Sequence, residues 1–123
     1  MTFNQAAKPY IEDKFKQASK AQACRKYDKS FALLEDAHVI GQQSTYFHSL
    51  VHLKMLRHGL AMRNYKEVTG QLCRLIGAFT KTAIGLIPTG NTGGANVNPF
   101  RQMPISEKNK ETIARIKHVQ SRP

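Results

Sequence analysis

Among the side chains between positions 35 and 52, four that could converge on a metal are Glu35, His38, His48 and His52. On a helix, Glu35-x-x-His38 puts a carboxylate and an imidazole on adjacent turns of one face, and His48-x-x-x-His52 does the same with two imidazoles. If the two helices form an antiparallel hairpin turning near Gln43, His38 lies five residues before the turn and His48 five after it. Glu35 lies eight before and His52 nine after. At about 1.5 Å of rise per residue, His38 and His48 stand at one height, and Glu35 and His52 at the next. Neutral imidazole binds zinc, iron, nickel or copper, and a carboxylate completes a three-nitrogen, one-oxygen set. The pattern predicts a mononuclear divalent-metal site, zinc first, or one shared across a dimer.

Glu-x-x-His spacing also serves carboxylate-bridged di-iron bundles. The chain has only eight acids, and Glu67 is the only one within the fourth helix, so carboxylates are too few for that chemistry. The same histidines also read as polar packing, with His38 a satisfied core residue and the i,i+4 pair bonding to neighbours. His58 and His118 fall off the stripe and are expected to face solvent. Cys24 and Cys73 fit no Cys-x-x-Cys pattern, and Cys73, between Leu72 and Leu75, reads as a small buried hydrophobe. Both thiols are expected to be structural.

The run Thr89-Gly-Asn-Thr-Gly-Gly-Ala-Asn96 is a second constellation. It lacks the Lys-Ser/Thr of a P-loop. Its glycines permit positive φ, so Asn91, Thr92, Gly93, Gly94 and Asn96 are candidates for a small anion nest or for a cover over the histidines. They read equally as a structured surface loop whose Asn side chains replace missing backbone partners.

The elements that must hold these residues are helical. Pro9 suits a first helical turn, though Asn4 or the residues after it could start the helix earlier, and Tyr10, Phe15, Ala18 and Cys24 give a loose face. Asp28 is a plausible cap for a second helix, about 29–42, whose stripe is Phe31, Leu34 and His38 and whose stop signal is Gly41. Ser44 or Thr45 caps a third helix, about 46–63, apolar nearly all round and therefore expected to be central. Asn64 and Glu67 open a fourth, to about Lys81, with Val68, Leu72, Leu75, Ile76 and Phe79 as its core stripe. A Gly/Asn/Pro loop fills 88–105, and Ser106 caps a basic final helix to about Val119, docked weakly by Ile113 and Ile116. No alternating β pattern occurs. The prediction is an all-α fold: one domain over 1–123 with its core in about 5–87, a small helical-hairpin bundle of four to five helices. Phe31 to Val68 resembles a single degenerate tetratricopeptide repeat.

Charge narrows the partners. The chain of 123 residues carries 19 Lys and Arg against 8 acids, a formal net charge of +11. The excess is spread evenly, Arg25-Lys26 is the longest basic run, and aromatics do not interleave with it, so specific nucleic-acid recognition is disfavoured. An acidic protein partner or self-association fits better. No apolar run approaches the roughly 20 residues of a membrane span, and the early charges of the N-terminus do not suit a secretory segment, so the expectation is a cytoplasmic protein.

Taken together, Glu35-Asp-Ala-His-Val-Ile-Gly-Gln42, His48-x-x-x-His52-x-x-Met-Leu-Arg-x-Gly59, Glu67-Val-x-Gly-Gln71 and Gly90-Asn-Thr-Gly-Gly-Ala-Asn96 resemble an uncharacterised bacterial family of short helical proteins. The resemblance covers about residues 5–105. Relatives often lie near heavy-metal resistance and efflux genes, which implies a role in metal handling and supplies no activity. Many relatives carry an aromatic directly after the second helical histidine, where this chain has Leu53. Three functions follow as expectations. The first is a divalent-metal-binding accessory protein using His38, His48, His52 and Glu35. The second is a helical protein–protein interaction module with structural histidines. The third, a hydrolase with a zinc-bound water and Glu35 as base, draws no further support, and the pattern leans away from an enzyme.

Overall fold

A computed structural model describes residues 1–83, 91–94 and 102–122. They form five α-helices: α1 (Phe3–Ala23), α2 (Tyr27–Gly41), α3 (Thr45–Ala61), α4 (Tyr65–Ala83) and α5 (Glu107–Ser121). No strand occurs among the described residues, so the chain is a small all-α bundle. No described helix is long and apolar enough to cross a membrane.

The helix starts are set by local polar chemistry. Thr2 and Gln5 form a reciprocal capping box on α1, the Ser44 hydroxyl accepts from the Phe47 amide, Asn64 Oδ1 accepts from the Glu67 amide at 3.1 Å, and Ser106 caps α5 through Asn109. Each satisfies an amide that has no carbonyl partner in a first turn. Two starts differ from the local signals at Pro9 and Asp28. The box at Thr2 begins α1 at Phe3, close to the earlier start at Asn4, so Pro9 lies inside the helix and not in its first turn. The α2 helix begins at Tyr27, one residue ahead of Asp28, and its N-cap Lys26 makes no side-chain cap.

The first and third helices end alike. Arg25 and Arg63 have φ of 59° and 54°. Lys26 N–H donates to the Ala21 carbonyl and Asn64 N–H to the Gly59 carbonyl, the 6→1 bonds of Schellman motifs. These ends turn the chain into two antiparallel hairpins, α1 with α2 and α3 with α4. The hairpins meet along α2 and α3, and α5 lies across α1 and α2.

The core is Ala7, Ile11, Leu34, Ala37, Ile40, Phe47, Val51, Met55 and Ile116. Gly41 does not end α2 through a left-handed turn; a Cβ there would lie 2.9 Å from both Ile11 and Phe47, so it allows three helices to meet closely. Burial of α3 runs along one face from Phe47 to Gly59, while Tyr46, Leu60 and the capping Met62 are exposed. The α4 helix is rotated from its expected setting. Gln71 is fully buried, while Leu72, Cys73 and Ile76 are exposed, and the side chain of Phe79 lies outside the described residues. Cys24 is also an exposed free thiol, so neither cysteine is the buried structural residue expected. His58, expected in solvent, is buried between Phe31 and the Tyr27 carbonyl.

Candidate metal centre

His38 reaches the interior because it follows Leu34 by one helical turn on the buried face of α2. His48 and His52 occupy the buried face of α3 with Val51 and Met55. The tight turn between Gly41 and Thr45 brings these faces together, and all three imidazoles are buried. Their ring centroids stand 4.7 Å (His38–His52), 4.8 Å (His38–His48) and 4.9 Å (His48–His52) apart, a nearly equilateral triangle. One potential ligand nitrogen from each ring lies within 4.8 Å of the others. His38 is thus equidistant from both α3 histidines and does not pair at one height with His48 alone.

Hydrogen bonds fix the nitrogens that face inward. His38 Nδ1–H donates to the Asn91 carbonyl at 2.6 Å. His52 Nδ1 lies 2.6 Å from Gln71 Oε1. The Gln71 amide nitrogen donates to Gly93 O at 2.9 Å and Glu67 Oε1 at 3.1 Å, both pure acceptors, so its oxygen must be the atom turned toward His52. His52 Nδ1 is therefore also a donor. In their neutral forms both rings then carry a lone pair on Nε2, and these two atoms lie 3.1 Å apart. A cation between them, a proton or a metal, removes that repulsion. Burial first, and then the nearby His52 and His48, hold His38 well below its ordinary pKa of 6.5, so this ring resists protonation.

Residues 91–94 cover the triad. Asn91, Gly93 and Gly94 are buried, and Gly93 has φ +84° with its α-carbon against the His38 ring. A Cβ there would fall 2.5 Å from His38 Cδ2, so only glycine fits. The Gly93 amide donates to Asn91 Oδ1 at 2.9 Å, which spends it inside the loop. Asn96 lies outside the described residues. Glu35 is half-buried, its carboxyl raised above the usual value chiefly by burial and drawn partly back by the Thr92 hydroxyl. The close ligand cluster among the described residues is the three histidines, with Glu35 bonded to the covering segment beside them.

Sequence reasoning named Gln71 only within the family pattern and gave no role to it or to the Asn91 carbonyl. The physical signal for Gln71 was its place four residues after Glu67, where the two side chains meet on a helix.

No curated protein and no solved structure matches the chain. The model of a family described as "Protein of unknown function (DUF3703)" matches residues 5–113, nearly the whole length, and the chain belongs to that family.

Proposed function

We propose that the protein binds one divalent metal ion through His38, His48 and His52 and serves as an accessory protein in metal handling. The observation that carries the reading is the pair of inward Nε2 atoms 3.1 Å apart, each left a lone pair by a 2.6 Å bond from the opposite ring nitrogen. A tetrahedral zinc with Zn–N near 2.0–2.1 Å requires nitrogens about 3.3 Å apart, close to that spacing. Carbonyl acceptors on the far nitrogens are the outer contacts that orient metal-ligating histidines. Zinc suits a buried set of neutral imidazoles best, while iron, nickel and copper share the donor chemistry. Water or Glu35 would supply the fourth ligand, Glu35 by leaving Thr92.

The test uses untagged protein purified without chelators. About one zinc per chain is expected by elemental analysis. Added zinc at a hundredfold excess over Kd should raise the Tm of metal-free protein by roughly 10 °C. His48→Ala should abolish both effects. Metal content well under one per chain, with a Tm indifferent to zinc, iron, nickel and copper, would overturn the reading. The triad would then be polar packing in a helical interaction module.

A further inference from the structure

A second concave site lies apart from the histidine triad, where α1, α2 and α3 converge. It is a cleft of about 260 Å³. Lys54 and Arg57, three residues apart on α3, stand on one side, and Ser19 and Gln22, three apart on α1, stand opposite. Phe15 and Leu34 supply apolar wall and floor. No carboxylate lines the cleft, and among the described residues neither Lys54 nor Arg57 forms an ion pair. Elsewhere Lys8, Lys14 and Lys110 each find an acid. Lys54 instead holds its ammonium 5.3 Å from the centroid of the Phe15 ring, at the boundary between the polar and apolar walls.

We infer that this cleft binds a small phosphate monoester, its phosphate between Lys54 and Arg57 and its organic part against Phe15 and Leu34. Two cations match the nearly double negative charge of a monoester better than the single charge of a carboxylate. The guanidinium fork offers paired donors to two phosphate oxygens and the ammonium acts as a point charge. The Ser19 hydroxyl and the Gln22 amide are further donors for the remaining oxygen. The apolar wall separates an organic ester from the free inorganic ion. A neighbouring lysine-lined hollow at the α1–α2 turn, with Lys20, Lys26 and Lys29, is positive as well but has no aromatic or branched aliphatic wall.

The experiment titrates the full ¹⁵N-labelled chain with phenyl phosphate, inorganic phosphate and benzoate at fixed ionic strength. Saturable shifts centred on Ser19, Gln22, Lys54 and Arg57 are expected, tightest for phenyl phosphate. The Lys54→Gln/Arg57→Gln variant should bind phenyl phosphate more weakly by roughly tenfold or more, and Lys20→Gln/Lys29→Gln should bind it as the parent does. Shifts centred on Lys20 and Lys29, equal weakening in both variants, or no saturation would overturn the site. Benzoate binding as tightly would overturn the phosphate assignment, and inorganic phosphate binding as tightly would overturn the organic one. Should the cleft variant fail to fold, the map of shifts on the parent chain decides alone. The outcome is independent of metal loading, because none of the cleft residues belongs to the triad.

Discussion

Gln71 determines which nitrogen of His52 is available to a metal. Its oxygen holds Nδ1–H and its nitrogen is locked by Gly93 and Glu67, so the amide cannot turn over without losing acceptors on both sides. Gln71→Leu frees the His52 tautomer while keeping a side chain of similar reach. Zinc affinity should fall by about 10–100-fold, the usual effect of losing such an outer contact, as read by competition with a chromophoric chelator; unchanged affinity would remove Gln71 from the site. A pH effect follows from His38. Its folded pKa is depressed, whereas the unfolded chain takes up this proton near 6.5. The unfolded state therefore binds more protons as pH falls below that value. Stability from the neutral ring is full above about pH 6.5 and is lost on acidification toward the folded pKa. Denaturation of metal-free protein at pH 7.5, 6.5 and 5.5 should show a steady decline, and a gain on acidification would instead mean a shared proton on the facing Nε2 atoms. The triad was legible in the sequence because helical periodicity alone puts His38 on one face and His48 and His52 on another. Gln71 was not, because its role arises only when α4 docks and no local pattern marks a glutamine for burial.

Helices and their junctions were legible to within a few residues wherever a capping side chain marks them, as at Ser44, Asn64 and Ser106. The rotation of α4 was not. Its apolar residues form a strong stripe, yet the structure buries Gln71 and exposes Leu72 and Ile76, since the polar interior beside the triad needs an amide at that position. The Schellman ends were missed for another reason. Glycine ordinarily marks them, and here arginine holds the left-handed residue. Arg63→Gly should therefore stabilise the protein by about 1 kcal/mol, because the left-handed penalty of a β-carbon disappears; an unchanged denaturation midpoint would contradict this. The covering segment gives the opposite substitution. Gly93→Ala adds a methyl onto the His38 ring at a positive φ, which should cost about 1–3 kcal/mol and displace either the loop or the ring. Weaker zinc binding together with faster hydrogen exchange at 91–94 would place the cover and the metal in one unit. Loss of stability with unchanged zinc affinity would separate them.

At the scale of the molecule, the bundle divides its tasks between its two sides. The triad sits among α2, α3, α4 and residues 91–94, whereas α5 braces the far side on α1 and α2. That brace is stronger than two spaced isoleucines suggested. Ile116 is fully buried, Asn109 donates to Asp36 at 3.0 Å, and the Asp36 carboxylate also meets the buried Lys14 of α1 at 3.7 Å. One acid of α2 thus ties three helices. Burial lowers the Lys14 pKa in spite of that ion pair, and the fully buried Ile116 is the apolar contact of the docking. Ile116→Ala should therefore destabilise the chain by about 2–5 kcal/mol. At a temperature where the variant remains folded, its zinc affinity should match the parent, because α5 packs on α1 and α2 and, among the described residues, supplies no hydrogen bond to His38 or His52. The converse holds for Gln71→Leu, which should change affinity far more than the midpoint of unfolding. If instead Ile116→Ala weakens zinc binding as much as stability, brace and site are coupled through α2, and Asp36, next to Glu35 in the chain, is the residue through which the coupling would pass.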